Sequence, residues 1–255
     1  MRKMKKESNS IQVLDRMSQL FDAIAAHEES VSLKILSAET GLHPSTAFRI
    51  LSSLAEHGFV ERTTRGNYQL GIRLMQLGSR VSTGVDIRKI ALPLMEGLRN
   101  QLGETVNLTV REDDEVVYIE RALAKRMIRV EQVIGSRAPL HVTAVGKMML
   151  GEQGEAACRS YAKRNKLAAY TPNTLTKITA LTQDCIAAAK RGYALDNEEA
   201  ELGVGCIGTL VRDAGGHVVA GLSVSAPIER RKHEWIALVM EAGEQLSAQL
   251  GYRPV

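Results

Sequence analysis

The chain has 255 residues, 44% of them hydrophobic and 24% charged, with a formal net charge of +4. That length holds one large domain or two ordinary ones, and the composition is that of a globular protein. No apolar run is long enough to span a bilayer. The three cysteines, Cys158, Cys185 and Cys206, lack CxxC spacing, which argues against a disulfide framework or a structural zinc site and fits a reducing cytoplasm.

Met1-Arg-Lys-Met-Lys-Lys6 carries the charge of a secretory n-region, but Glu7-Ser-Asn-Ser10 stands where an apolar stretch is required. Residues 1–9 are therefore expected to be a disordered basic arm, either DNA-contacting or merely solvated. Residues 11–26 set Ile11, Leu14, Met17, Leu20, Phe21 and Ile24 at helical spacing. A second helix is expected from Leu33 to about Thr40, with Ser32 as N-cap and Gly41 supplying a tight turn. Pro44 suits the first turn of a third helix, where its missing N–H is no loss.

In that third helix Ala47, Ile50, Leu51 and Leu54 follow the i, i+3, i+4, i+7 rule and face inward. Ser45, Thr46, Arg49 and Ser52 then point outward, with Phe48 at the boundary. A face of small polar residues and one arginine can enter a major groove. Residues 59–62 and 68–70 read as short strands around Thr64-Arg-Gly-Asn67, a hairpin wing carrying Arg62 and Arg65. A bare pair of helices at this spacing is also what ordinary core packing produces; the wing and the N-terminal placement favour DNA. Arg49 has two open roles, a bidentate contact to guanine or a phosphate clamp.

Residues 72–81 are again helical. Gly78, Ser79, Ser82, Thr83 and Gly84 loosen the chain before a longer helix at about 85–102, so the boundary is placed at residues 71–84. From Thr105 the period changes to two: Val106, Leu108 and Val110 alternate with polar residues, Asp113-Asp114 turns, and residues 116–119 and 127–130 continue as strands. Helices are expected at 142–150, 155–164 and 181–191, strands at 193–195, 206–212 and 217–225, and a last helix that contains Trp235 and runs to about Leu250. Hairpins with flanking helices make this an α+β domain with an antiparallel sheet.

Several residues here carry chemistry. On one strand Leu222 and Val224 point one way, and Gly221, Ser223 and Ser225 the other. The small hydroxylated face either lines a polar ligand site or meets solvent. Pro139-Leu-His141-Val-Thr143-Ala-Val-Gly146-Lys147 looks like a loop entering a helix, whose free N–H groups either attract a carboxylate or are simply capped. Asp196, Cys206 and His141 admit two further readings: zinc ligands of a metal-responsive protein, or a Cys206–His141 nucleophile pair of a small hydrolase. Neither has local spacing to support it.

Ordered blocks along nearly the whole chain resemble the IclR family of bacterial transcriptional regulators. They are the helix-turn-helix of residues 33–54, Tyr68-Gln-Leu-Gly71 leading to Leu77-Gly78, and Gly135-Ser-Arg-Ala-Pro-Leu-His141 through Lys147. Tyr170-Thr-Pro-Asn-Thr-Leu175, Arg191-Gly-Tyr193, the Gly192/Asp196/Glu199/Cys206 signature and Leu222-Ser-Val-Ser-Ala-Pro227 complete them. The resemblance implies a winged helix over residues 1–70, a linker helix over 71–84 and a GAF-like effector-binding domain over 85–255. It also implies a dimer or tetramer on a palindromic double-stranded operator, controlled by a small carboxylate or aromatic catabolite, with no catalytic residue, cofactor or metal and no membrane partner. By position, the family's effector contacts fall on Ala144, Val145, Asp196, Cys206, Ser223 and Ser225. Two departures stand out: Val145 is larger than the usual small residue, which implies a reshaped pocket, and Thr209-Leu210 and Arg212 replace a common Ala-Pro pair and an aromatic, changes that bear on the ligand's identity and not on the fold.

Overall fold

The computed structural model describes residues 11–82 and 86–254, which fall into two compact units divided between those segments. The expected basic arm and the last residues of the expected linker, 83–84, lie outside the described residues.

In the first unit α1 (Gln12–Ala25), α2 (Leu33–Thr40) and α3 (Pro44–Glu56) are followed by the hairpin β1 (Val60–Arg62) and β2 (Tyr68–Leu70), then by α4 (Ile72–Ser82). Ser32 caps α2, its hydroxyl accepting the Ile35 N–H at 3.4 Å, and Gly41 ends the helix at φ +67°. The left-handed φ is why glycine stands in this turn. Leu20, Ile24, Leu36, Ala47, Leu51, Leu54, Val60 and Tyr68 form one buried cluster. Removing each of the larger ones from water contributes about 1.5–3 kcal/mol. The wing is anchored to this core rather than appended to it: Val31 and Tyr68 exchange backbone hydrogen bonds at 2.8 Å.

The second unit contains α5 (Ile87–Leu102), β3 (Thr105–Glu112), β4 (Glu115–Ala122), β5 (Arg137–Pro139), α6 (Ala144–Glu152), α7 (Gly154–Asn165) and α8 (Ile178–Arg191). It continues with β6 (Ala194–Asn197), β7 (Val204–Arg212), β8 (Val218–Pro227) and α9 (Trp235–Gln249). The strands form an antiparallel sheet ordered β5-β4-β3-β8-β7-β6. Val106, Leu108, Ile207, Leu222 and Val224 cluster with Met95 of α5 and Val239 and Leu246 of α9 on one face. Val116 and Leu210 cluster with Val145, Met149, Leu181 and Cys185 of α6 and α8 on the other. The period-two alternation of the strands thus sorts two apolar cores, one per face.

The strand expected at 127–130 is absent; β4 ends at Ala122 and residues 123–136 are irregular, with Met127 fully exposed. Side chains, not a ladder, take the carbonyls there. Thr105 Oγ1 donates to Val130 O at 2.7 Å and Arg230 Nη2 to Ile128 O at 3.0 Å. The apolar run of that segment resembles a strand only in composition. A short edge strand, β5, instead pairs with the start of β4 (Val116↔Ala138). The helix expected from residue 142 begins later, at Ala144, after a 3-10 turn at Leu140–Val142.

Candidate functional site

In the first unit, α3 presents Ser45, Phe48 and Arg49 to solvent while Thr46 and Ser52 are half-buried. His43 caps the helix: Ser45 N donates to its Nδ1 at 3.4 Å, and the ring nitrogen bonds the Ser45 hydroxyl at 2.8 Å. His43 went unnoticed in the sequence because imidazole is an uncommon cap. The two wing arginines differ. Arg65 is exposed in the hairpin turn, whereas the Arg62 guanidinium lies 6.0 Å from the Phe48 ring centroid and 5.7 Å from that of Tyr68. Cation–π attraction of about 0.5–1 kcal/mol at such a site restricts Arg62 between helix and wing. Phe48, expected at the boundary, is the platform that does this. At the far end of α3, Arg73 Nη1 donates to His57 O at 2.9 Å and stacks on Phe59, joining α4 to the wing.

In the second unit a cavity of about 180 Å³ lies between the start of α6 and one sheet face. Its lining includes Ala144, Val145, Asp196, Cys206 and Ser223 of the expected set, together with Thr109, Tyr118 and Gln132. Five of the six expected residues therefore meet from α6, β6, β7 and β8. The sixth, Ser225, stands behind the lining, its hydroxyl 3.2 Å from Cys206 Sγ and accepting from Asn107 Nδ2 at 3.1 Å. Tyr118 shares a face with Val116 on β4, so the period-two rule applied to that strand would have found it.

The α6 end of the cavity is a donor. Thr143 Oγ1 accepts the Gly146 N–H at 3.1 Å and Thr143 O the Lys147 N–H at 3.0 Å. The N–H groups of Ala144 and Val145 have no acceptor within their own helix, as in any first turn. The close approach of α6 depends on two glycines. A Cβ on Gly221 would overlap the Val145 side chain, and one on Gly208 would press on Val145 and Ala144. Val145, the oversized residue, is therefore received by a notch in the sheet. The other departures lie off the cavity. Thr209 donates to Gly192 O at 3.0 Å and faces Gly243 of α9, while Arg212 pairs with Glu152 at 2.7 Å. Leu210 packs in the α6-side core with Val145, and none of the three residues is part of the cavity lining.

The β6 end is acidic. Asp196 is buried and accepts the Glu199 N–H at 2.7 Å; burial, with the Glu199 carboxylate adding to it, pushes its carboxyl up to about 6. Burial and the neighbouring Asp196 hold the Cys206 thiol well above its ordinary range. A thiol kept protonated is a poor nucleophile. His141, the partner of the hydrolase reading, is occupied elsewhere: Nδ1 meets Tyr161 OH at 2.9 Å and Nε2 meets Ala168 O at 3.1 Å. Among the described residues, no group of three His, Cys, Asp or Glu side chains is arranged to hold a metal ion. Two cations frame the acidic end. Arg231 Nη1 donates to Asp196 O at 2.7 Å, and buried Lys147 pairs with Glu199 at 2.6 Å and Asp184 at 2.8 Å.

Residues 13–64 match the model of the IclR helix-turn-helix domain, and residues 79–250 that of the bacterial transcriptional regulator IclR C-terminal domain. The chain belongs to the IclR family of bacterial transcriptional regulators. The HTH-type transcriptional regulator XynR of Escherichia coli is 33% identical over 95% of this chain and 98% of its own length. The solved IclR of Thermotoga maritima is 32% identical, covering 95% of this chain and 100% of its own, with a TM-score of 0.62. An IclR homolog of Microbacterium hydrocarbonoxydans, solved with 4-hydroxybenzoate, is 25% identical over 93% of this chain and 98% of its own, at a TM-score of 0.61. As an IclR-type protein the chain is a ligand-responsive, DNA-binding transcriptional regulator and not an enzyme. No helix of the described residues is long and apolar enough to cross a membrane.

Proposed function

We propose that this IclR-type regulator binds an inverted-repeat operator in the cytoplasm as a dimer or tetramer. In this reading the unit ending near residue 82 holds the DNA and the unit from residue 86 holds a small carboxylate effector. Ser45, Thr46, Phe48, Arg49 and Ser52 approach the major groove, while Arg62 and Arg65 engage the backbone beside it. Self-association draws support from apolar side chains left exposed on α1 and α4, among them Val13, Leu14, Ile72 and Met75.

The cavity carries the effector reading. A carboxylate meets the free N–H groups of Ala144 and Val145 and the Ser223 hydroxyl, and a hydroxyl or carbonyl at its other end meets Asp196 and Tyr118. Ser225 acts through Cys206, holding its thiol in place. Binding here shifts the population of domain arrangements and so operator affinity. The test is a thermal-shift screen of small carboxylates, 4-hydroxybenzoate included, followed by operator binding with and without each hit. A hit whose affinity falls ten-fold or so in Ser223→Ala, with operator binding intact in its absence, supports the reading. Unchanged affinity in both Ser223→Ala and Asp196→Asn places the effector elsewhere.

A further inference from the structure

Lys147 is among the largest fully buried side chains in the protein, 1% exposed, and it lies between two carboxylates. Its Nζ is 2.6 Å from Glu199 Oε1 and 2.8 Å from Asp184 Oδ2, and those carboxylates more than offset the burial that would otherwise strip its proton. Glu199 Oε1 also accepts the Asn197 N–H at 3.3 Å, and the Glu199 N–H donates to Asp196 Oδ1. The turn holding Glu199 is pinned from outside. Thr174 Oγ1 donates to Glu199 O at 2.7 Å and Thr171 Oγ1 to Glu198 O at 2.6 Å, with Glu198 itself in the left-handed region at φ +61°. Lys147 sits three residues after Ala144 on the short helix that supplies the amide donors.

We propose that Lys147 and Glu199 are positioning residues of the cavity: their buried ion pair ties the donor end, the first turn of α6, to the acidic end, Asp196 of β6. The inference rests on reading this cavity as the effector site, but its geometry exists without an effector. The pair fixes the distance between the two ends, so it selects effectors by the separation of their polar groups. It also tunes the acidic end. The groups facing Asp196 are Tyr118 on β4, Cys206 on β7, Glu199 in its own turn, Lys147 on α6, and Arg231, which takes its backbone oxygen. Of these, the Glu199 carboxylate pushes the Asp196 proton on, while the Glu199 N–H, which Glu199→Gln leaves in place, and Lys147 push it off. An anionic effector is received best when Asp196 is protonated, because two carboxylates in one small cavity repel.

The test follows the Asp196 carboxyl by carbon NMR in the full, ligand-free chain, identified by its loss in Asp196→Asn. Glu199→Gln lowers the titration midpoint below its wild-type position and Lys147→Met raises it, with the double variant between them. A residue that merely fills space moves the midpoint the same way in both single variants, or not at all, and either result overturns the proposal. If Lys147→Met alone does not fold, the comparison is Glu199→Gln against the double variant, which lacks any unpaired buried charge. A midpoint in Glu199→Gln no lower than in the double variant then overturns it. Failure of every carboxylate to bind in the screen, with the ordered midpoints intact, overturns the effector reading and leaves the ion-pair assignment standing.

Discussion

The two units place their polar groups in opposite surroundings. In the first, Ser45, Arg49, Arg62 and Arg65 stand at the surface of a scaffold whose interior is apolar. In the second, Asp196, Ser223 and Lys147 are buried inside the unit they serve. On the proposed function, recognition and stability are separable in one unit and borne by the same side chains in the other. A surface arginine can be removed without opening the core, whereas a buried lysine leaves its carboxylate stranded.

Lys147→Met is the sharpest way to break that contrast. It leaves Glu199 buried and unpaired and should destabilise the second unit by about 3–5 kcal/mol in chemical denaturation, with much of the loss recovered in the double variant with Glu199→Gln. A cost near that of a surface substitution would mean water reaches the pair. Asp196→Asn tests the same principle with the opposite sign. Because the folded carboxyl titrates near 6 against an ordinary 3.8, its contribution to stability is full below pH 3.8 and lost as pH rises to about 6. The asparagine variant should therefore match wild type near pH 4 and exceed it at pH 7 by up to about 3 kcal/mol, read from paired denaturation curves.

A third substitution probes the notch. Gly221→Ala drives a methyl into Val145 and should cost about 1–3 kcal/mol, and adding Val145→Ala should return most of it. A double variant no better than the single one would mean the strand, not the helix, resists. Arg49→Ala sharpens the other side of the comparison. Operator binding should weaken by about 1–3 kcal/mol if the arginine reads a base, while unfolding stays within about 0.5 kcal/mol of wild type. Loss of stability there would undo the separation drawn between the units.

How much could be read in advance follows the same divide. The inward stripe Ala47, Ile50, Leu51 and Leu54 is periodic and local, so the helix and its outward face were visible in one stretch of sequence. The direction of Ser223 followed from alternation with Leu222 and Val224, which are indeed in the opposite core. The meeting of Ala144, Asp196 and Ser223 was not a matter of period at all, since it depends on strand order, and only the family resemblance gathered them. What escaped both was partnership at a distance. Lys147 and Glu199 are 52 residues apart, and nothing local marks a lysine as buried. Residues 127–130 misled because apolar β-branched composition favours a strand but does not make one without a neighbour to pair with.

The sheet's outer borders have a consequence for solubility. Both are short: β5 spans three residues and ends in Pro139, which has no N–H to donate, and β6 spans four and runs into the left-handed Glu198. Such borders give an incoming strand almost no template for edge-to-edge growth. Edge-to-edge growth of the sheet into fibrous aggregates is therefore disfavoured at both of these borders.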